Sequence, residues 1–101
     1  MNLVEQLREM REKEQIEEGV WKAIVNAKEI SVLTIEPGGE IPLHKHVNDH
    51  EIYIVLKGMV RIDGIACTEG NIRICNCGES HRAVNTFNTE VIILAIKIGA
   101  E

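Results

Sequence analysis

The sequence has few aromatic residues and no cluster of basic residues. Trp21, Tyr53 and Phe87 are its only aromatic side chains, and the formal net charge at pH 7 is -5. Binding of nucleic acid ordinarily needs a basic surface, joined for single strands by rings on which bases stack. We therefore expect no nucleic acid among the partners of this protein.

Long apolar runs are absent as well. The longest run extends from Val91 to Ile96, far short of the roughly 20 residues that a membrane helix needs. The first 18 residues contain six acidic and three basic side chains, whereas a secretory leader begins with basic residues and continues with apolar ones. We expect a protein that does not enter a membrane and that stays in the cytoplasm.

Cysteine is scarce and odd in number. Cys67, Cys75 and Cys77 do not include a CxxC pair, which argues against both a disulfide framework and a zinc-binding knuckle. A reducing compartment is the simpler interpretation. We expect these residues to act as small buried side chains, with thiol chemistry as the alternative.

The N-terminal region resembles a helix. Asn2 followed by Glu5 forms a capping-box pattern, apolar residues then recur at helical spacing, and Gly19 suits the position after a helix end. The pattern predicts one helix over residues 3–17. Because its apolar stripe is thin, we expect region 1–19 to pack on a larger body or at a subunit contact.

The remainder of the chain, residues 20–101, is predicted to be a single all-β domain. Short runs of β-branched residues alternate with Gly, Pro, Asn or Asp, and Asp63-Gly64 is a strong signal for a two-residue hairpin turn. Without helical segments between the strands, an antiparallel sandwich or barrel is favoured. The predicted strands are 21–25, 29–36, 41–46, 51–57, 59–62, 65–68, 71–75, 81–86 and 91–98.

Three of the four histidines fall within seven residues. On a strand, His44 and His46 would project from the same face, and Glu51 on the next strand could reach them if the two strands pair. His81 lies on a later strand. Imidazole nitrogens with one carboxylate oxygen suit a divalent first-row metal ion. Surface or core histidines remain the alternative, since an HxH pair alone also occurs by chance.

The spacing around these residues resembles the two motifs of the cupin superfamily. The first motif, G-x5-H-x-H-x(3,4)-E-x6-G, is matched without departure by Gly38, His44, His46, Glu51 and Gly58. The second motif, G-x5-P-x-G-x2-H-x3-N, is matched by Gly70, Gly78, His81 and Asn85, with Asn76 where the family has Pro. Asn also tolerates turn geometry, so the turn is expected to persist.

The resemblance implies a cupin-type double-stranded β-helix, a jelly-roll barrel, here with a short N-terminal α-helix. It also implies a metal centre ligated by His44, His46, Glu51 and His81. Cupins usually hold manganese, iron, nickel, copper or zinc, and some members have lost the metal. The cofactor expected for this protein is therefore one divalent transition-metal ion.

Other residues near the motifs have less certain roles. His50 is predicted to lie in a turn at the surface or at the pocket rim. Tyr53 and Asn85 share strand faces with the expected ligands and are candidates for the substrate pocket, although both could equally be core or turn residues. Lys45 and Arg82 are expected to point away from the site.

The leading functional hypothesis is a metalloenzyme that acts on a small oxygen-rich metabolite, as a dioxygenase, isomerase or lyase. The alternative is a non-catalytic ligand-binding or sensor cupin, because few acid-base residues beyond the ligands are in view. A purely structural dimerisation domain is disfavoured, since it would not need four ligand-competent residues. We also expect a homodimer, because several strands carry apolar residues on both faces.

Overall fold

The computed structural model describes all residues from Met1 to Glu101 and confirms the all-β prediction. One short helix accompanies ten strands, and no helix is long and apolar enough to cross a membrane. The elements are α1 (Leu3–Arg8), β1 (Glu14–Glu17), β2 (Val20–Lys22), β3 (Glu29–Ile35), β4 (Glu40–His44), β5 (Asp49–Lys57), β6 (Met59–Ile62), β7 (Ile65–Thr68), β8 (Ile72–Cys75), β9 (His81–Val84) and β10 (Val91–Gly99).

Eight of the strands form two antiparallel four-stranded sheets, which face each other as a jelly roll. The first sheet has the order β3-β10-β5-β8, and the second has the order β4-β9-β6-β7. The core lies between them and consists of side chains that alternate along the strands, such as Val91, Ile93 and Ala95 on β10. The intervening residues of the first sheet point outward and are therefore only partly covered.

The hairpin predicted at Asp63-Gly64 is confirmed. These residues join β6 to β7, and both have positive φ, 52° at Asp63 and 80° at Gly64. A two-residue turn with this geometry matches the right-handed twist of the flanking strands. The local sequence therefore sets the register of this pair of strands.

The helix predicted over residues 3–17 is wrong beyond Arg8. The helix ends there, and β1 pairs with β2 in a separate two-stranded hairpin. Leu3 and Gln6 are the buried residues of α1, whereas residues 11–17 are all exposed. Gly19, with φ of 76°, serves the hairpin turn because a positive-φ glycine suits either a helix end or a tight turn.

Helix α1 lies against one end of the first sheet. The backbone N–H of Leu3 donates to Oδ1 of Asn76 at 2.7 Å, and Nε2 of Gln6 donates to the carbonyl oxygen of Gly99 at 2.8 Å. Leu3 is 1% exposed. Asn76, which stands where the cupin motif has proline, thus accepts a hydrogen bond from the first N–H of the helix. A proline side chain has no acceptor atom for this bond.

Candidate metal centre

The four residues expected to bind metal lie together. His44 is the last residue of β4, His46 follows two residues later, Glu51 lies on β5, and His81 begins β9. One potential ligand atom from each residue falls within 4.8 Å of the other three. The fold therefore joins the two sequence motifs at one place, although 30 residues separate Glu51 from His81.

A β-bulge in β4 sets the direction of His44. Ile41 is opposite Ala83 and His44 is opposite His81, so β4 has one residue more than β9 between these two pairs. Regular alternation would have put Ile41 and His44 on opposite faces. Because of the bulge, Ile41 packs against the core while His44 still faces the other histidines.

His46 lies in the loop after β4, not on a strand as predicted. Its carbonyl oxygen accepts the N–H of Gly78 at 2.8 Å, which ties this loop to the segment before β9. The imidazole nitrogen Nε2 lies 3.3 Å from Oε1 of Glu51. The convergence of His44 and His46 therefore depends on a bulge and a loop contact, and not on simple strand alternation.

Glu51 is a buried carboxylate whose ion-pair partners are all imidazoles. Its side chain is 6% exposed, and Oε1 lies 3.3 Å from Nε2 of His46 and 3.4 Å from Nε2 of His81. Neither Lys nor Arg forms an ion pair with it. Burying a carboxylate is costly unless hydrogen bonds or a cation compensate. A positive ion among these four side chains would supply that compensation.

Backbone carbonyl groups orient two of the imidazoles. Nδ1 of His44 lies 2.8 Å from the carbonyl oxygen of Pro42, and Nδ1 of His81 lies 3.4 Å from that of Glu79. A carbonyl oxygen only accepts hydrogen bonds, so these contacts place the ring proton on Nδ1. The lone pair on each Nε2 is then available as a metal ligand.

The charge state of His81 also suits a ligand. Burial lowers the pKa of this imidazole, and the neighbouring His44 lowers it further. The ring is 3% exposed, and a lowered pKa keeps it neutral at pH 7. Only neutral imidazole binds a metal ion, so this environment favours binding.

The donor set fits a first-row transition metal. Three imidazole nitrogens and one carboxylate oxygen are typical ligands for such ions. Ligand atoms bound to one ion at about 2.1 Å lie no more than about 4.2 Å apart. The four potential ligand atoms lie within 4.8 Å of one another, so small side-chain movements would bring them to bonding distance. Four protein ligands, one atom from each residue, leave two positions of an octahedral ion for a small molecule.

Tyr53 lies beside the cluster. It is 2% exposed, and its hydroxyl is 3.3 Å from Nε2 of His81. Burial and the nearby Glu51 carboxylate raise the pKa of Tyr53 well above its ordinary value. The phenol is therefore protonated at neutral pH and can donate a hydrogen bond to a neighbouring acceptor.

The side chain of Asn85, the other pocket candidate, is engaged with backbone groups. Its Nδ2 donates to the carbonyl oxygens of Ile35 and Thr89, both at 2.9 Å, and its Oδ1 accepts the N–H of Phe87 at 3.0 Å. Asn85 is fully buried. These hydrogen bonds hold the loop between β9 and β10. They do not support a role for Asn85 in the substrate pocket.

The prediction of His50 as a turn residue at the surface or rim is wrong. Strand β5 begins at Asp49, and His50 is completely buried. Its Nδ1 accepts the N–H of Cys77 at 2.9 Å, which leaves Nε2 to donate to Oε1 of Gln6 at 2.9 Å. The alternation of β5 points His50 outward, where α1 covers it, and no local pattern signals this contact.

Arg82, Cys67 and Cys75 lie as expected, whereas Cys77 is less buried than predicted. Arg82 is exposed and pairs with Glu40 at 2.6 Å, pointing away from the cluster. Cys67 and Cys75 are buried and Cys77 is half-buried, all as free thiols. Burial raises the pKa of Cys75 to about 11, so its thiol is unreactive at neutral pH.

Comparison with known proteins agrees with this geometry. The family model of the cupin domain matches residues 31–97. An oxalate-binding protein from Thermotoga maritima is 34% identical over 70 residues, which cover 65% of this chain and 58% of the relative. This chain thus spans less than two thirds of that relative's length.

Solved structures show the same barrel. A predicted oxalate decarboxylase from Thermotoga maritima is 32% identical with a TM-score of 0.67, covering 73% of this chain and 68% of the other. A protein with a double-stranded β-helix domain from Klebsiella pneumoniae is 26% identical with a TM-score of 0.63, covering 68% and 61%. The family model, the paired sheets and the two motifs agree, and the chain belongs to the cupin family.

Proposed function

We propose that His44, His46, Glu51 and His81 bind one divalent transition-metal ion and that the ion holds a small carboxylate such as oxalate. The observation that carries this proposal is the buried Glu51 carboxylate beside His44 and His81, whose Nδ1 contacts leave the Nε2 lone pairs available. The mixed nitrogen and oxygen donors suit manganese, iron, nickel, copper or zinc.

The ligand class is supported by chemistry and by the relatives. A dicarboxylate can offer two oxygens to the positions that the protein leaves open, and the charge of the metal ion outweighs the negative net charge of the protein at short range. The matched relative from Thermotoga maritima is an oxalate-binding protein. Tyr53, as a protonated phenol beside His81, can donate a hydrogen bond to such a ligand.

A lyase activity is the second candidate, favoured by the likeness to a predicted oxalate decarboxylase. Cleavage of the carbon–carbon bond of hydrogen oxalate releases CO2, and the acid's proton ends on the carbon of formate, so no net oxidant is consumed. Tyr53 is the one ionisable group other than the ligands that contacts the cluster. Binding without turnover remains the simpler function for a site with so few acid-base groups.

Calorimetry with metal-loaded protein tests the proposal. We expect one metal ion per chain, oxalate binding that requires the ion, and loss of both in His81→Ala. Lys45→Ala is the matched control, because Lys45 is exposed and lies between two of the ligands in sequence. Equal oxalate affinity with and without metal would refute the proposal, and formate production from oxalate would establish the lyase candidate.

We also propose that the protein acts as a homodimer, because the outer face of the first sheet is apolar. The strands β3, β5, β8 and β10 all contribute branched aliphatic residues to it. Light scattering in solution measures the oligomeric state directly. A monomer mass at every concentration would contradict this proposal without affecting the proposed metal centre.

A further inference from the structure

The inner face of the first sheet is polar at the end that holds the candidate metal centre. Antiparallel pairing aligns Glu51 with Lys97 on β10 and with Cys75 on β8. In the next row, it aligns Tyr53 with Arg73 on β8. Residues paired in this way point to the same side of a sheet. Two basic residues, Arg73 and Lys97, therefore share the side of the sheet from which Glu51 and Tyr53 reach the histidines.

Arg73 is anchored beside His81. Its Nη2 donates to Oδ2 of Asp63 at 3.1 Å, and Oδ1 of Asp63 accepts the backbone N–H of Arg82 at 2.9 Å. Arg82 follows His81 directly in the chain. Arg73 is also paired with Tyr53, whose hydroxyl lies 3.3 Å from Nε2 of His81. Two separate sets of contacts thus hold the Arg73 side chain next to the centre.

The guanidinium group of Arg73 has a donor that no protein atom uses. Nε of Arg73 is the one buried side-chain nitrogen or oxygen of the chain without a hydrogen-bond partner. Buried N–H groups are nearly always paired, because an unpaired one loses its hydrogen bonds to water. The Arg73 side chain is 34% exposed, so its head group is not locked into the core. An acceptor is therefore missing at a place next to the candidate metal centre.

The charges of the centre require a second cation once a dicarboxylate is bound. A divalent ion together with Glu51 has one net positive charge, and a dianion such as oxalate would change this to one net negative charge. A buried charge without compensation is costly. A guanidinium group can compensate it, because its planar fork of donors matches the two oxygens of a carboxylate.

Lys97 is the other basic side chain on this face, and it is less suited to this role. Its Nζ lies 3.4 Å from Oε2 of Glu29, which is exposed on the edge strand β3. This pair places the Lys97 ammonium on the side of β3, whereas Arg73 lies on the side of β8 with a buried donor to spare. An ammonium group also lacks the fork that matches a carboxylate.

We propose that Arg73 is the specificity-determining residue of the centre and that its guanidinium donates hydrogen bonds to the second carboxylate of a metal-bound dicarboxylate. This inference rests on the proposed function and adds to it the group that distinguishes a dianion from a monocarboxylate. Asp63 holds the guanidinium in place through one contact, which leaves other N–H groups free to donate. The bound carboxylate supplies the acceptor that Nε lacks.

Calorimetry of zinc-loaded protein with oxalate and with acetate tests this assignment. Either anion can bind the ion through a carboxylate, and acetate has a methyl group where oxalate has its second carboxylate. We expect Arg73→Gln to weaken oxalate binding by at least about tenfold, with acetate affinity and zinc content unchanged. Arg73→Lys keeps the charge but loses the fork, so it should recover only part of the oxalate affinity.

Two variants serve as controls. Arg82→Gln removes the same charge from the strand that carries His81, but Arg82 is exposed and pairs with Glu40. We expect its oxalate affinity to stay within about twofold of the wild type. Lys97→Gln removes the other basic side chain of the inner face, and it should weaken oxalate binding less than Arg73→Gln does. Circular dichroism checks that each variant is folded.

The Nε–H group of Arg73 offers a direct second readout by nuclear magnetic resonance. Its signal is identified by its absence from the spectrum of Arg73→Gln. We expect this signal to move downfield when oxalate is added to zinc-loaded protein, because the proton then gains an acceptor. Acetate should leave the signal in place.

Each contrary result contradicts a named part of the reasoning. Oxalate affinity that Arg73→Gln leaves unchanged, or an Nε–H signal that oxalate does not move, refutes the role of Arg73 and leaves the metal centre intact. Equal losses of oxalate and acetate binding refute the discrimination between them, and a larger loss in Lys97→Gln refutes the choice of Arg73. Zinc-loaded wild-type protein that binds neither anion refutes the proposed function, and this inference fails with it.

Discussion

Replacement of His50 and His81 by alanine should produce opposite defects. His50 lies within the first motif, next to Glu51, and His81 lies within the second motif. His81 lies in the cluster of four potential ligands, whereas His50 joins Gln6 to the backbone of Cys77. We expect His81→Ala to lose metal and keep its fold, and His50→Ala to keep metal while losing stability.

The cost of His50→Ala follows from its two hydrogen bonds and its burial. The N–H of half-buried Cys77 loses its acceptor, which costs about 1–2 kcal/mol for a partly buried donor left unpaired. Oε1 of Gln6 loses the hydrogen bond from His50 but still accepts one from the N–H of Glu101 at 3.1 Å. The loss of this second bond of His50 therefore costs less. The cavity left by the ring adds about 1–2 kcal/mol. The sum is a large part of the roughly 5–15 kcal/mol that stabilises a domain of this size.

Thermal unfolding and metal analysis of both variants give the answer. A loss of this size should lower the Tm of His50→Ala by about 10 °C or more. His50→Asn should recover part of it, because its Oδ1 can take the place of Nδ1 and accept the N–H of Cys77. For His81→Ala we expect at least about a 10- to 100-fold loss of metal affinity. If His50→Ala strips the metal and His81→Ala retains it, the assignment of the centre is wrong.

Three further outcomes follow from the structure. Gly58→Ala should destabilise the protein more than Gly64→Ala, although both glycines have positive φ. Only at Gly58 would the new Cβ meet another atom, the carbonyl oxygen of Glu90 at 2.6 Å. Equal unfolding free energies of the two variants would contradict this. Asn76→Pro should cost about 1 kcal/mol and speed amide exchange in α1 without changing metal content, because the first amide of the helix loses its acceptor. Burial lowers the pKa values of His50 and His81 in the folded state, so the unfolded chain binds more protons just below its His pKa of about 6.5. The free energy of unfolding of metal-free protein is therefore greatest above that pH and should fall between pH 7 and 5, as measured by urea unfolding. A free energy that stays constant or rises over this range would contradict the lowered pKa values.

Strand alternation and turn chemistry predict much of the barrel. On β5, Tyr53 and Val55 enter the core while Ile52 and Ile54 remain outside, as the period of two requires. The Asp63-Gly64 turn is local and is therefore readable from two residues. The resemblance to the two cupin motifs also named the four side chains that the structure brings together, because a match of residue spacing does not depend on whether the local backbone is a strand, a bulge or a loop.

Other features depend on contacts that no local pattern reveals. The bulge that turns His44 inward requires knowledge of its pairing with β9, and the burial of His50 requires α1. Gly19 is compatible with a helix end and with a hairpin turn alike, so the sequence could not decide between them. The helix prediction failed beyond Arg8 because the sequence of residues 9–17 does not indicate whether the fold offers a surface for a helix to pack on.

Strand β5 faces two environments that both constrain its sequence. Glu51 and Tyr53 point to the candidate metal centre, whereas Ile52 and Ile54 lie on the outer face of the first sheet. A single inserted or deleted residue would exchange these two sets, placing a carboxylate on the outer face and isoleucine among the imidazoles. Natural variation in this strand is therefore expected to consist of substitutions that keep each side's character, with changes of length confined to the loops at its ends.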